Sequence, residues 1–196
     1  MSTDSIKKTA IVMAGGTGGH IFPGLALAHE LHKNNWNVHW LGSPHHMEAK
    51  LLADQPFAFE PVEFSGVRGK SWKETVTAPF RLLKACAQAY QVLRRVKPDL
   101  IIGFGGYITV PASIVALFLK IPVWLHEQNS VAGMANKLLS KWAKQVFSAF
   151  PNALPNAQWV GNPLRQIFAE QASPAARFTN RQGPLKVLVV GGSLGA

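Results

Sequence analysis

The chain has 196 residues, 47% of them hydrophobic, and its 20 Lys and Arg against 10 Asp and Glu give a formal net charge of +10. That length and apolar content suffice for a full core, which excludes a disordered chain. One cysteine, Cys86, excludes an internal disulfide, and the apolar stretch at residues 10–14 is too short for a secretory signal core, so a cytoplasmic protein is expected.

In chain order, apolar strand-like runs at residues 10–13, 38–41, 58–64, 100–102, 123–126 and 145–148 alternate with helical patterns at 23–33, 47–54, 77–96, 110–119 and 133–142. Such alternation predicts an α/β fold, a doubly wound parallel sheet of Rossmann-like type. Right-handed crossovers bring the strand-to-helix loops to one edge of the sheet, where ligands bind beyond the carboxyl ends. Residues 108–125 are the stretch most like a membrane span, but Pro111, Lys120 and Pro122 interrupt it, and it reads as a buried helix followed by a buried strand. Cys86 falls in a helical pattern and reads as a small buried side chain. The pattern loosens after residue 162, and residues 163–184 read as a linker. Residues 185–190 then form a fresh apolar run, and the glycines at 191–195 read as its strand-to-helix turn, so residues 185–196 are expected to open a second α/β domain after a first one at 1–162.

Three glycine-rich turns follow strand-like runs: Gly15-Gly16-Thr17-Gly18-Gly19-His20, Gly103-Phe104-Gly105-Gly106-Tyr107 and Gly191-Gly192-Ser193-Leu194-Gly195. Backbone N–H groups converging at a helix start favour anions, so the first is a candidate phosphate cradle; its plain alternative is glycine serving only positive φ or close packing. Ile21 replaces the last glycine of the dinucleotide fingerprint, and the second strand ends Trp40-Leu41-Gly42-Ser43 without a ribose-binding acid, which disfavours a nicotinamide cofactor. No Gly-Lys-Ser/Thr follows, which excludes a P-loop nucleotidase.

His20 closes the first loop as a candidate general base, or as a group that only binds phosphate or caps the helix. His126-Glu127-Gln128-Asn129, directly after a buried strand, offers an acid, two amides and an imidazole to the same edge. Arg165 could clamp a diphosphate or merely cap the linker. His45, His46 and Glu48 are too poorly spaced for a metal pair and read as a solvated loop, and no metal motif occurs elsewhere.

Between residues 65 and 97 lie eight basic residues, Arg68, Lys70, Lys73, Arg81, Lys84, Arg94, Arg95 and Lys97, against Glu74 alone. This segment predicts an anionic partner. With Trp72, Val76 and Phe80 beside it, and with Lys137, Lys141, Lys144 and Trp142 on an expected helix face, it reads as a patch that docks on an anionic membrane surface. The alternatives are an ordinary solvated face with Phe80 and Leu83 packed under the sheet, or a basic nucleic-acid-binding module, although the interleaved apolar residues do not form a stacking platform.

These motifs, with Ser65-Gly66-Val67-Arg68-Gly69-Lys70 and Gly161-Asn162-Pro163, together resemble the N-terminal part of the MurG family of peptidoglycan glycosyltransferases, over nearly the whole chain. The resemblance implies two Rossmann-like domains in the glycosyltransferase-B arrangement, with no metal or other cofactor. It implies inverting transfer of N-acetylglucosamine from UDP-N-acetylglucosamine to the C4 hydroxyl of lipid I, an undecaprenyl-diphosphate-muramoyl-pentapeptide, at the cytoplasmic side of the inner membrane. His20 becomes the favoured base with Glu127 and Tyr107 as supports or rivals. Thr17, Gly18, Gly19, Asn129, Arg165 and Ser193 become substrate contacts, and Gly16, Gly105 and Gly106 suit the acceptor diphosphate. The resemblance also implies a donor domain beyond residue 196, without which this chain is expected to be inactive. Another glycosyltransferase-B enzyme with a lipid-linked acceptor is the competing enzyme reading.

Overall fold

The computed structural model describes residues 7–64, 66, 76–184 and 186–189. Seven strands form one sheet: β1 Thr9–Met13, β2 Asn37–Gly42, β3 Ala58–Pro61, β4 Leu100–Gly103, β5 Val123–Glu127, β6 Gln145–Ser148 and β7 Gln158–Trp159. Their order is β3-β2-β1-β4-β5-β6-β7, and every neighbouring pair is parallel. The helices are α1 Gly18–Lys33, α2 Met47–Leu52, α3 Ala78–Val96, α4 Thr109–Phe118, α5 Met134–Leu139, α6 Gln166–Ala169 and α7 Pro174–Phe178.

The period of two along each strand divides the core. Ile11, Met13, Leu41, Ile101 and Leu125 face α3, α4 and α5 through Ala85, Ala89, Leu93, Ala112 and Leu139. Val12, Trp40, Leu100 and Ile102 face the other way, onto Ile21, Leu25 and Ala28 of α1 and Leu52 of α2. Strands buried on both faces explain the continuous apolar runs. The chain begins in the middle, winds outward to β3 and returns beside β1 to make β4. The switch point therefore opens a crevice at the carboxyl ends of β1 and β4.

Several boundaries differ from expectation. α1 starts at Gly18 and carries Pro23 inside it as its sixth residue, past the first turn, so the Gly19 carbonyl receives no helical amide from residue 23. β3 stops at Pro61, and the Glu63 amide goes instead to the Gln88 side chain on α3 at 2.8 Å. α5 ends at Leu139, so Lys141 and Lys144 do not continue the helix face; the Lys144 amide already joins the sheet through the Val123 carbonyl. The expected strand at 185–190 does not form over the described residues 186–189. Val187, Leu188 and Val189 are exposed. No helix among the described residues is long and apolar enough to cross a membrane.

Candidate functional site

The loops after β1 and β4 meet at the switch point, and β5 delivers its polar run beside them. Gly105 and Gly106 both hold positive φ, 106° and 84°. A Cβ on Gly105 would come 2.9 Å from the His20 ring, and one on Gly106 2.5 Å from the Gly15 carbonyl oxygen. Between these loops and α5 lies a pocket of about 200 Å³ lined by His20, Gly105, Gly106, Tyr107, Met134 and Asn136. Gly66 runs so close to the Tyr107 ring that residue 66 has no room for a side chain.

His20, in the first turn of α1, is half-buried, and its Nδ1 lies 3.0 Å from the Phe104 carbonyl oxygen. A carbonyl can only accept, so Nδ1 carries the proton and Nε2 keeps its lone pair. The Gln128 amide meets the same nitrogen, and its Oε1 is otherwise buried without a partner; turned onto the ring, that oxygen shares the Nδ1 proton. Burial pushes the His20 pKa below its ordinary 6.5, opposed by the Glu127 charge and by the bonds to Phe104 and Gln128. The imidazole is thus neutral at neutral pH, the state a proton acceptor needs.

Glu127, expected as a support or rival for His20, is fully buried with both oxygens engaged. Oε1 accepts from the Asn129 amide at 2.9 Å and from Asn129 Nδ2 at 3.0 Å, and Oε2 accepts from the Gly133 amide at 3.0 Å and from Asn136 Nδ2 at 2.9 Å. Four donors saturate a carboxylate, and the result is a clamp that folds the loop from β5 to α5. His126 does not offer its imidazole to the edge as expected. It alternates inward along β5, tilts against the Phe104 ring at 5.3 Å and approaches the Gly161 carbonyl through Nε2 at 2.9 Å.

Glu48 corrects the reading of residues 45–48 as solvated. His45 and His46 are exposed, but the Glu48 carboxylate is fully buried under the first glycine loop, accepting from the Ser43 amide at 3.0 Å and the Gly16 amide at 3.4 Å. The Gly16 N–H is therefore turned inward, whereas Gly18 and Gly19 lie in the first turn of α1, behind the cap Thr17. Arg165 stands apart from His20. Its guanidinium lies 4.9 Å from the Phe22 and Phe168 ring centroids and lines a separate groove of about 890 Å³ beside α1. That groove is larger and carries its own polar side chains, among them His29, Glu30, Lys33 and Glu170, but no glycine loop enters it, whereas Gly105 and Gly106 line the switch-point pocket.

Ser193 and Trp72 lie outside the described residues, as do Arg68, Lys70 and Lys73. Phe80 and Leu83 are 74% and 66% exposed rather than packed under the sheet, because α3 buries Ala85, Ala89 and Leu93 instead. Lys84 pairs with Glu63 at 2.6 Å, Arg81 is half-buried beside it, and Lys141 and Trp142 are exposed. Sequence reasoning missed Phe104, Asn136 and Glu48. A main-chain carbonyl and two partners distant in sequence left no local signal.

The profile of the glycosyltransferase family 28 N-terminal domain matches residues 10–148. A relative from Acidovorax sp. (strain JS42), named UDP-N-acetylglucosamine--N-acetylmuramyl-(pentapeptide) pyrophosphoryl-undecaprenol N-acetylglucosamine transferase, is 60% identical over 97% of this chain and 48% of its own length. A protein of the same name from Burkholderia ambifaria (strain MC40-6) is 55% identical over 97% of this chain and 52% of its own. The crystal structure of MurG from Acinetobacter baumannii aligns with a TM-score of 0.69 at 42% identity, covering 81% of this chain and 46% of that one. At 15% identity and a TM-score of 0.55, UDP-N-acetylglucosamine 2-epimerase from Rickettsia bellii, over 76% of this chain and 40% of its own, shares the fold alone. The chain spans about half the length of the curated relatives it matches. With the family profile spanning residues 10–148, which hold six of the seven parallel strands, but for Thr9, and the glycine loops after β1 and β4, the chain belongs to the glycosyltransferase family 28 N-terminal domain family.

Proposed function

We propose that this chain is the acceptor-binding half of an inverting N-acetylglucosaminyltransferase. It transfers N-acetylglucosamine from UDP-N-acetylglucosamine to the C4 hydroxyl of the muramoyl sugar of lipid I, and a second domain completes the donor site. The observation that carries the reading is His20: a neutral imidazole, its Nδ1 proton held by the Phe104 carbonyl, at a pocket between two glycine loops. Its Nε2 takes the proton of the acceptor hydroxyl as that oxygen bonds to the anomeric carbon and the bond to the UDP oxygen breaks. Gly105 and Gly106 give the acceptor diphosphate a close approach to the backbone, and the α1 terminus at Thr17, Gly18 and Gly19 favours its charge. Gly16 contributes loop shape, since its amide serves Glu48. Glu127 and Asn129 hold the loop in place, and Tyr107 walls the pocket. Arg165 and Ser193 belong in this reading to the donor side of the cleft.

The same reading takes the protein to the cytoplasmic face of the inner membrane, through Phe80, Leu83, Arg81 and Lys84 of α3 together with Lys141 and Trp142. The outward Phe80 and Leu83 support it.

The test uses a polypeptide of the relatives' length with lipid I and labelled UDP-N-acetylglucosamine. His20→Ala should lower kcat about a hundredfold or more. A loss confined to KM would assign His20 to diphosphate binding, and an unchanged kcat would overturn the base assignment. The 196-residue chain alone should give no transfer; transfer at a normal rate would sink the two-domain reading.

A further inference from the structure

Two connections lead from the stretch Gly161-Asn162-Pro163 back to His20, and both end on the same atom. In the first, Asn162 Nδ2 donates to the Gln128 main-chain carbonyl at 3.3 Å, and the Gln128 side chain meets His20 Nδ1. In the second, the Gly161 carbonyl accepts from His126 Nε2 at 2.9 Å, the His126 ring leans on the Phe104 ring, and the Phe104 carbonyl holds His20 Nδ1 at 3.0 Å. Gly161 turns the chain at φ 79°, in the region where glycine is at ease, and no atom within 4 Å would meet a side chain there. The chain leaves the sheet at this point, directly after β7, for the half-buried Pro163 and the exposed residues 164–184.

We infer that His126, Gln128 and Asn162 form a latch through which the course of the chain at Gly161 and Asn162 sets the position of the His20 imidazole. They are positioning residues and need touch no substrate. The chemistry of the latch follows from the tautomers. Because the Gly161 carbonyl can only accept, His126 carries its proton on Nε2, and Nδ1 is left buried without a partner. Burial also pushes the His126 pKa down, so the ring stays neutral with its single donor aimed at Gly161. If the chain turned differently at residue 161, His126 would be left with both nitrogens unpaired inside the protein, which holds the turn in its present course. Gln128 is likewise buried, so a pull on its main chain through Asn162 is passed to its side chain rather than lost to solvent. A movement of the chain beyond Pro163 would therefore loosen Gln128 and Phe104 together, and with them the support of the base.

The inference rests on the reading of His20 as the proton acceptor, but its test does not use turnover. The seven histidines, ¹³C-labelled at Cε1 in the 196-residue chain, are titrated by NMR, with the His20 signal assigned by its loss in His20→Gln. In the parent chain His20 should titrate below 6.5. Asn162→Ala, at an exposed side chain, should let water reach the ring and raise the midpoint by roughly half a pH unit or more. His126→Phe should act in the same direction, and His126→Gln, which keeps a side-chain donor, should stay near the parent. An unchanged His20 midpoint in Asn162→Ala overturns the latch, including where His126→Phe alone shifts it, because His126 also packs on Phe104 directly. If His126→Phe does not fold, Asn162→Ala decides by itself. A failed latch leaves the transferase reading standing. A normal kcat in His20→Ala would remove the base role without touching the titration result.

Discussion

A Cβ atom on Gly106 would stand 2.5 Å from the carbonyl oxygen of Gly15, so the loops leaving β1 and β4 pack backbone against backbone across the switch point. No L side chain fits that gap. Gly106→Ala combines this clash with a φ of 84° and should lower stability by about 1–3 kcal/mol. Gly16→Ala is its control, with a similar φ of 92° but no atom within 4 Å of the added carbon. Urea unfolding of the two variants should rank Gly106→Ala as clearly the less stable. Equal losses would show that conformation alone, and not the loop contact, requires glycine.

The Glu127 clamp gives a second prediction. Glutamine has the same shape but turns an NH₂ group toward two of the four donors that the carboxylate now satisfies, so Glu127→Gln should cost about 1–3 kcal/mol of stability. Its effect on His20 has a definite sign. The Glu127 charge raises the His20 pKa, so removing it should move the His20 midpoint further down. A Glu127→Gln chain whose His20 titrates higher than the parent's would mean that the loop had opened and admitted water.

The fold was legible because its strands are buried on both sides. Apolar runs such as Ile11, Val12 and Met13 leave a doubly covered sheet as the natural reading, and the glycine loops mark the strand ends. β7 escaped because two exposed residues, Gln158 and Trp159, carry no periodicity. The start of α1 escaped because Pro23 resembles a first-turn residue while Gly18 and Gly19 resemble a loop. His20 and Glu127 stood out as residues, but not their division of labour. That depends on four donors converging on Glu127 from residues 129–136, and on a carbonyl 84 positions away from His20, which no local pattern records.

His20 and His126 both make the fold sensitive to acid. Burial lowers both pKa values below 6.5 in the folded chain, so the unfolded chain binds more protons over that range. Their contribution is complete above the unfolded value of 6.5 and is lost as pH falls through the lower folded values. The urea midpoint should be level between about pH 7 and 8 and fall toward pH 5, less steeply in His126→Gln. A midpoint at pH 5 equal to that at pH 7.5 would contradict the burial of both rings.

The exposed side of α3 gives the last prediction, for association with vesicles. Phe80 and Leu83 face solvent, whereas Lys84 is already paired with Glu63 at 2.6 Å. A Phe or Leu side chain taken fully out of water contributes about 1.5–3 kcal/mol, and a basic residue at an anionic surface about 1 kcal/mol, less where it gives up a partner. Co-sedimentation with anionic vesicles should therefore fall about tenfold or more for the double variant Phe80→Ser, Leu83→Ser, and much less for Lys84→Gln. Both side chains lie outside the core, so the urea midpoint of the double variant should match the parent's, which separates lost docking from lost folding. Binding should also weaken as salt is added, since the anionic headgroups act within a Debye length of the surface. Equal binding to neutral vesicles would leave apolar contact without any role for the cations, and no binding to anionic vesicles at low salt would remove the membrane from this face of the protein.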